Sequence, residues 1–593
     1  MTRASTWRSL RLMVGVAFRA DPWRTIVTLL PLSALSFTGS LIALRLLINV
    51  MSGGNRGTVD SAALLFIAST WAAIAAGFGQ MKIRMRLNES VGFAIDRRII
   101  DLAAGIPDLE PFERPDFLDR LEYLRTQRTA LQDTVGSLAW VIYGIAGMLV
   151  FVALLVSIHP VLIVVAFGGI PAAIANKRAQ RQVDNAVSAA SQTYRQALHV
   201  FDLATTPAPA GELRVFGAEP WLAGRYHELS AQAERRILAA DIKATAVRIA
   251  AGLVAVGAYA SAIVLTLWLL RTDRISGGVV FVVAFAAASL LDRLAQGVGG
   301  WGNIRPALNA ADRLSWLIDY SAAKRRAEPE LEAPSTRTDG LVLHNVSYRY
   351  HGADDDALRN VSVTIPWGSV VGLVGENGAG KTTLIKLLHG LDHPTNGSVL
   401  IDGTDLVTID RATWQTHTSA CFPDHLRLHL TARESIGVSR IEAMGSDELL
   451  HDALSQAAAE DILAALPDGL DTMLGTTQGG INLSGGQWQK ISISRALLRP
   501  KPALLVLDEP SSALDPLAEQ QLFERYDDIT RSNGRHDGTI TVIIAHRFSS
   551  VRIADLIVVL HEGRMLDAGT HAELMGRCAH YCELYELQAA LYD

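Results

Sequence analysis

The sequence predicts a multi-domain chain. An all-α transmembrane region of six helices spans residues 1–320, a linker follows over 321–340, and an α/β domain built on a phosphate-binding loop occupies 341–593. Three observations predict this. Hydrophobic residues make up 49% of the 593, and the mean hydropathy is +0.22, both high for a chain folded in water. Long apolar runs fill the first half, whereas short β-rich runs alternating with helical stretches fill the second. Finally, the apolar run Val370–Val374 breaks into Gly375-Glu376-Asn377-Gly378-Ala379-Gly380-Lys381-Thr382-Thr383, then opens a helix pattern at Leu384, Ile385, Leu387 and Leu388.

At the N-terminus, Trp7, Leu10, Met13, Val14 and Phe18 alternate with Arg3, Arg8, Arg11 and Arg19. That is the pattern of an amphipathic helix at a membrane interface, not of a cleavable signal peptide. Pro22 turns the chain into an apolar span over 25–51, and further spans follow at 60–80, 134–158, 160–176, 246–270 and 277–300. Crossing a bilayer takes roughly 20 apolar helical residues, so six crossings are expected. Too many of the runs are apolar on all faces for them to be buried helices of a soluble protein.

Loop charge sets the orientation. The connections near 51–59, 157–160 and 271–276 are short and hold few basic residues. Those over 81–133 and 177–245 are long and carry Lys82, Arg84, Arg86, Arg97, Arg98, Lys177, Arg178, Arg181, Arg235 and Arg236. Positive loops stay in the cytoplasm, so the expectation is a multi-pass protein of the cell (inner or plasma) membrane with both termini cytoplasmic. Helical spacing continues into both long connections, each interrupted once: at Phe112-Glu113-Arg114-Pro115-Asp116-Phe117 and at Val215-Phe216-Gly217-Ala218-Glu219-Pro220-Trp221. Aromatics ringed by charge at a helix tip suit docking on a soluble domain. Ionisable residues inside spans are costly in hydrocarbon, which singles out Arg45, Asp292 and Arg293 for a watery cavity or an internal partner.

Residues 321–340 are charged and proline-containing and read as the linker. Beyond it, short β-type runs fall at 341–346, 361–365, 369–374, 398–401, 504–508, 540–545 and 556–560. The glycine stretch fits G-x-x-x-x-G-K-[ST] between a strand and a helix. Its backbone N–H groups and the helix dipole cradle phosphate oxygens, Lys381 reaches the β- and γ-phosphates, and the Thr382 hydroxyl ligates Mg²⁺. A second stretch, Leu504-Leu505-Val506-Leu507-Asp508-Glu509, reads as a buried strand ending in two carboxylates. Asp508 suits Mg²⁺ and Glu509 suits the polarisation of an attacking water. A third, Leu483-Ser484-Gly485-Gly486-Gln487, opens a helix from Trp488 to about Leu498 and makes another anion-binding turn. One γ-phosphate needs contact from both sides, so this turn can serve a nucleotide held by another copy.

These motifs, in this order, resemble those of the ATP-binding cassette (ABC) exporters, and the resemblance to a half-transporter covers nearly the whole chain. It implies an ABC ATPase using ATP and Mg²⁺, paired with a second half-transporter subunit as homo- or heterodimer. Closure over two ATP molecules would switch the membrane domains and drive a substrate across the lipid bilayer. The resemblance also implies adenine stacking by Tyr350, γ-phosphate contact by His546, communication through Ser512-Ala513-Leu514-Asp515, and coupling helices at Phe112–Phe117 and Val215–Trp221. One departure stands out: where the family usually places a glutamine, the chain reads Phe422-Pro423-Asp424-His425, which leaves two readings, slower or less tightly coupled hydrolysis or harmless variation. Thr476 likewise stands where many members carry a glutamate. An importer built on the exporter fold, of the siderophore type, would share every motif, and an ATP-gated regulatory or channel-like protein would share most of them.

Bulk properties exclude other classes. A net charge of −6 gives no footing for nucleic acid. Three cysteines, Cys421, Cys578 and Cys582, make no disulfide framework. Cys578, His580 and Cys582 lie close in sequence but lack a full metal-ligand set and read as surface helix residues. No peptidase-like stretch precedes the membrane half, so the expected cargo is a lipid, a drug-like or natural-product small molecule, or a peptide.

Overall fold

The structure, a computed structural model, describes residues 3–30, 39–40, 42–44, 46–47, 50, 56–206, 209–272, 279–334, 337–476, 479–510, 538–544, 551–552 and 554–589. The chain divides into two units: Met1–Ala103 with Asp119–Asp319, and Ala104–Leu118 with Tyr320–Asp593.

The first unit is helical. Helix α1 (Arg3–Ala20) buries Met13 and Ala17 while leaving Trp7 and Phe18 on its outer face. Asp21 ends it and caps α2 (Pro22–Leu29), its carboxylate accepting the Arg24 N–H at 3.1 Å with Pro22 at the first helical position. The longer helices are α3 (Arg56–Ala104), α4 (Thr134–Ile158), α5 (Val164–Thr205), α6 (Glu219–Arg271) and α7 (Val279–Ala327). Among the described residues three segments are long and apolar enough to cross a membrane: Val59–Ala104, Thr134–Ile158 and Glu219–Arg271. A shorter apolar helical stretch covers Val279–Leu290. Of the sequence-derived spans, 60–80, 134–158 and 246–270 fall in the first three and 277–300 overlaps the last. The 160–176 span opens with a tight turn at Pro160–Ile163 before α5. Much of 25–51, with Arg45, lies outside the described residues, as do the side chains of Asp292 and Arg293 on α7.

Large apolar side chains on these helices face outward: Leu64, Trp71 and Phe78 on α3, Leu253, Val256 and Val264 on α6. Each would forgo about 1.5–3 kcal/mol in water, so a hydrocarbon surrounding is the environment that suits them, and the protein is a membrane protein. Inside, one polar cluster links α2, α3 and α4. Gln80 Nε2 donates to Leu30 O at 2.7 Å and to the Tyr143 hydroxyl at 3.1 Å, and Tyr143 in turn donates to Thr28 O. Helices α5 and α6 run against each other along much of their length.

The second unit contains two sheets. One is antiparallel, in the order β2 (Leu358–Ile365), β1 (Leu341–Tyr348), β4 (Asn396–Ile401), β5 (Thr404–Asp405). The other runs β10 (Arg564–Gly569), β9 (Leu556–His561), β3 (Val370–Val374), β8 (Ile540–Ile544), β7 (Leu504–Asp508), β6 (Thr418–Cys421), parallel except for the edge strand β10. β7 and β8 are buried at every residue, as expected of parallel strands covered on both faces. One core joins both sheets to α8 (Lys381–Leu388) and Trp414, whose Nε1 donates to Leu388 O at 2.9 Å. A second core gathers Trp488 and Ile491 of α9 (Gly485–Leu497) with Leu450, Leu454 and Leu470. The helix α7 continues to Ala327, inside the stretch read from sequence as linker.

Candidate nucleotide site

The phosphate loop joins β3 to α8. Gly378 and Gly380 hold φ of +83° and +96°, values that side-chain-bearing residues rarely adopt, and Gly380 is the residue that caps α8. Space demands glycine too: a Cβ on Gly375 would stand 2.3 Å from Leu560 O, and one on Gly380 would stand 2.7 Å from Leu358 Cδ2. Glu376, Asn377, Gly378 and Thr382 are exposed, Ala379 and Thr383 are buried, and the loop therefore opens outward. Lys381 Nζ donates to Gly375 O at 2.7 Å and to Glu376 O at 2.9 Å. Burial pushes its ammonium pKa below the usual lysine range, while nearby Asp508 and Glu509 oppose that shift. The three charges therefore lie within electrostatic reach of one another.

Sheet register explains the convergence. Leu373 of β3 pairs with Ile544 of β8, and Ile544 pairs with Asp508 of β7. Strands lie about 4.8 Å apart, so Asp508 stands about 10 Å across the sheet from the strand that leads into the loop. Asp508 is buried at the strand end. Glu509, the next residue, has φ of +49° although it is not glycine. Its backbone is tied on both sides: its N–H donates to Ile544 O at 2.8 Å, and its carbonyl accepts from Gln489 Nε2 at 2.7 Å. A hydroxyl, a buried carboxylate and a loop that tolerates no Cβ are a donor set of hard oxygens beside a phosphate cradle. They fit Mg²⁺ with a nucleoside triphosphate, held by Thr382 and Asp508.

Ser484 caps α9. Its hydroxyl oxygen accepts the Gln487 N–H at 3.2 Å, and Gln487 Oε1 accepts the Ser484 N–H at 2.9 Å. This reciprocal cap moves the helix start from Trp488, as read from sequence, to Gly485, so Gly485 and Gly486 form its first turn. Ser484 and Gly485 are exposed. The Ser484 hydroxyl hydrogen and the first-turn amides still point donors outward at the positive end of the helix dipole. This turn rides on the second core, whereas the phosphate loop rides on the first.

Tyr350 lies just past β1 and is half-buried. Its hydroxyl meets Thr383 Oγ1 at 3.0 Å, and its ring stands edge-on to Tyr348 at 5.0 Å with Lys386 Nζ 5.2 Å from its centre. Pro423 O meets His425 Nδ1 at 3.1 Å, and burial depresses the His425 pKa. Thr476 lies in a turn, its carbonyl accepting the Gly479 N–H at 3.1 Å. His546 and Ser512–Asp515 lie outside the described residues. Gln489 was not singled out from sequence, although it stands two residues after Gln487 in the same motif.

Residues 104–118 pack with the nucleotide-binding unit. Glu113 accepts Lys386 Nζ of α8 at 2.6 Å, and the Leu109 N–H donates to Leu391 O at 3.2 Å. Asp108 accepts from Lys324 and pairs with Arg411, whose side chain is only 3% exposed. Phe112 and Phe117 meet edge to face at 5.3 Å, and Phe117 reaches Tyr320 at 5.6 Å. The first aromatic tip is therefore anchored one helix away from the phosphate loop. At the second tip Val215, Phe216 and Trp221 are exposed.

Comparison with known proteins agrees with this arrangement. The ABC transporter family model matches residues 358–512. The subtilin transport ATP-binding protein of Bacillus subtilis is 35% identical over 247 residues, 42% of this chain and 39% of that protein. The ATP-dependent lipid A-core flippase of Alkalilimnicola ehrlichii is 32% identical over 380 residues, 64% of this chain and 62% of the flippase. The chain thus spans less than two thirds of the length of these relatives. A bacterial Atm1-family ABC exporter solved with ATP bound superposes with a TM-score of 0.76 at 21% identity, covering 97% of this chain and 100% of that one. The C-terminal unit holds an ABC transporter domain, fused behind an N-terminal helical region, and the whole has the fold of an ABC exporter.

Proposed function

We propose that this chain is one half of an ATP-driven exporter that works as a dimer in a lipid membrane, with residues 1–320 as membrane domain, 321–340 as linker and 341–593 as nucleotide-binding domain. One observation carries the reading: lipid-facing helices share a chain with a site where Lys381, Asp508 and Glu509 converge on a glycine cradle. In this reading Gly375–Thr383 hold the triphosphate, Thr382 and Asp508 hold Mg²⁺, and Tyr350 borders the adenine. Mg²⁺ would neutralise charge on the phosphate oxygens. Glu509 takes the proton of the attacking water, His546 contacts the γ-phosphate, and Ser484 with Gly485, Gly486 and Gln487 completes the site of the partner subunit. The exposure of the Ser484 turn, on a core apart from the phosphate loop, supports that division of labour. Residues 104–118 relay the nucleotide state towards α3, and the exposed tip at Val215–Trp221 suits docking on the partner.

The test is Glu509→Gln in the purified, reconstituted chain. A positioned general base contributes roughly 10²–10⁴-fold, so turnover should fall at least about 100-fold while ATP stays bound. Retained steady-state ATPase would refute the assignment. Uptake or release in sealed vesicles separates export from import. Subtilin and lipid A-core, named for the two relatives, are the first cargoes to try.

A further inference from the structure

A cluster of metal-type donors borders the phosphate loop: Glu376 belongs to that loop, whereas His561 and His580 lie outside the machinery described above. Glu376, His561 and His580 each bring one ligand atom to within 4.8 Å of the others. Three separate elements supply them. β9 pairs in parallel with β3 such that Val374 faces Val559, and two residues further along this register Glu376 comes alongside His561. His580 sits in the first turn of α10 (Ala579–Ala589), which Tyr581, buried completely, packs against Val374, Ile557 and Val559. The two imidazole rings meet at 4.5 Å. His561 Nδ1 and His580 Nε2 are buried atoms with no hydrogen-bond partner among the described residues, which is costly for polar atoms unless something else satisfies them. On the far side of the His580 ring, Nδ1 faces Glu583 Oε2 at 4.0 Å. That is an ion-pair separation, not a hydrogen bond, and rotation of the exposed Glu583 would bring it to the ring N–H that a metal-bound histidine presents to a carboxylate.

We propose that Glu376, His561 and His580 bind one Zn²⁺-class cation, which staples the C-terminal helix α10 to the phosphate loop. Two imidazoles and one carboxylate suit zinc and disfavour Mg²⁺, which prefers oxygen ligands alone. Ligands of a tetrahedral zinc sit about 2.0–2.2 Å from the ion and hence about 3.4 Å from one another. Rotation of Glu376, which is exposed, closes the remaining distance. The metal site goes beyond the transport reading and does not depend on it, while its coupling to ATP rests on the nucleotide reading of the loop. The cysteines that flank His580 in sequence are not its partners: Cys578 is buried in the core under α10, a correction to its reading as a surface residue, and the Cys582 thiol donates to Met575 O at 3.1 Å. Neutralising Glu376 makes the loop more attractive to phosphate, so zinc and ATP strengthen each other's binding by the same factor.

The test is calorimetric titration of the untagged full-length chain with ZnCl₂, alone and with excess Mg²⁺. One zinc per chain should bind in both conditions, roughly 100-fold more weakly in His561→Ala and in His580→Ala, and unchanged in Cys578→Ala/Cys582→Ala. His561→Asn and His580→Asn, closer in size, guard against misfolding, with retained binding of a fluorescent ATP analogue as the check. Zinc should also slow hydrogen exchange across residues 579–589 and tighten ATP severalfold in the parent chain but not in His561→Asn. Equal zinc uptake by parent and His561→Ala/His580→Ala, or its loss in the cysteine variant, would overturn the site. An ATP affinity indifferent to zinc would overturn the coupling.

Discussion

Substitution of Asp108 by Asn probes the anchoring of residues 104–118 most directly. The Asp108 side chain is 11% exposed, and its two partners are Lys324 and Arg411, the latter 3% exposed. Burial pushes the carboxyl pKa up, but hydrogen bonds and charge from Lys324 and Arg411 outweigh it and hold the value below the usual carboxylate range. The asparagine amide keeps the shape and removes the charge, leaving Arg411 buried with the Glu328 carboxylate, 3.7 Å away, and the His393 ring to face it. Breaking a buried pair from one side costs about 3–5 kcal/mol, and the residual Glu328 contact puts this case at the lower end, about 3 kcal/mol. At about 2 °C per kcal/mol for a unit of this size, unfolding of the nucleotide-binding unit should shift down by about 6 °C, measured by calorimetry on the detergent-solubilised chain. Arg411→Met added to Asp108→Asn should recover much of the loss, because the stranded charge is gone. A midpoint within 1 °C of the parent, or a double variant worse than the single by the full cost of Arg411→Met alone, would refute the argument.

Other expectations follow from single positions. Gly380→Ala places a methyl 2.7 Å from Leu358 Cδ2 at φ +96°, so ATP binding should weaken at least about tenfold in a fluorescence titration, with about 1–3 kcal/mol of lost stability. Pro423→Gln supplies an amide where the chain has none; ATPase should rise about threefold to tenfold and saturate at lower Mg²⁺, and an unchanged rate with unchanged Mg²⁺ dependence would remove any penalty from Pro423. His389 is buried, and its pKa is pushed down from 6.5 to about 4 by burial and by the charge of Arg499. The unfolded chain therefore takes up a proton below pH 6.5 that the folded chain refuses until about pH 4. This contribution to stability is whole above pH 6.5 and declines below it by up to about 1.4 kcal/mol per unit, a slope that unfolding curves of His389→Gln should lack.

Much of the site was legible because its chemistry is local in sequence. A strand, a glycine turn and a helix start within a dozen residues announce an anion cradle, and Leu504–Glu509 announces a buried strand ending in acid. What escaped was long-range or polar. β10 reads Arg564-Met565-Leu566-Asp567-Ala568-Gly569 with no apolar run; it forms because Glu562 and Gly563, at φ +46° and +76°, make a two-residue hairpin that seats it on the edge of β9. The Asp108–Lys324–Arg411 cluster joins positions hundreds of residues apart, and no periodicity signals it. Helix α7 overran the expected linker because the charges that suggested a loop are spent on partners such as Asp108, Gly105 O and Glu110. The membrane count rested on hydropathy, which finds apolar runs but cannot say which residues of Arg45, Asp292 and Arg293 face one another.

The left-handed backbone at Glu509 has a consequence for how this chain can change. A glycine there would relieve about 1 kcal/mol of steric conflict, yet it would delete the carboxylate proposed to take the proton of the attacking water. Selection for robustness and selection for turnover therefore pull this position in opposite directions, and drift towards a sturdier fold would carry the chain towards an inert one.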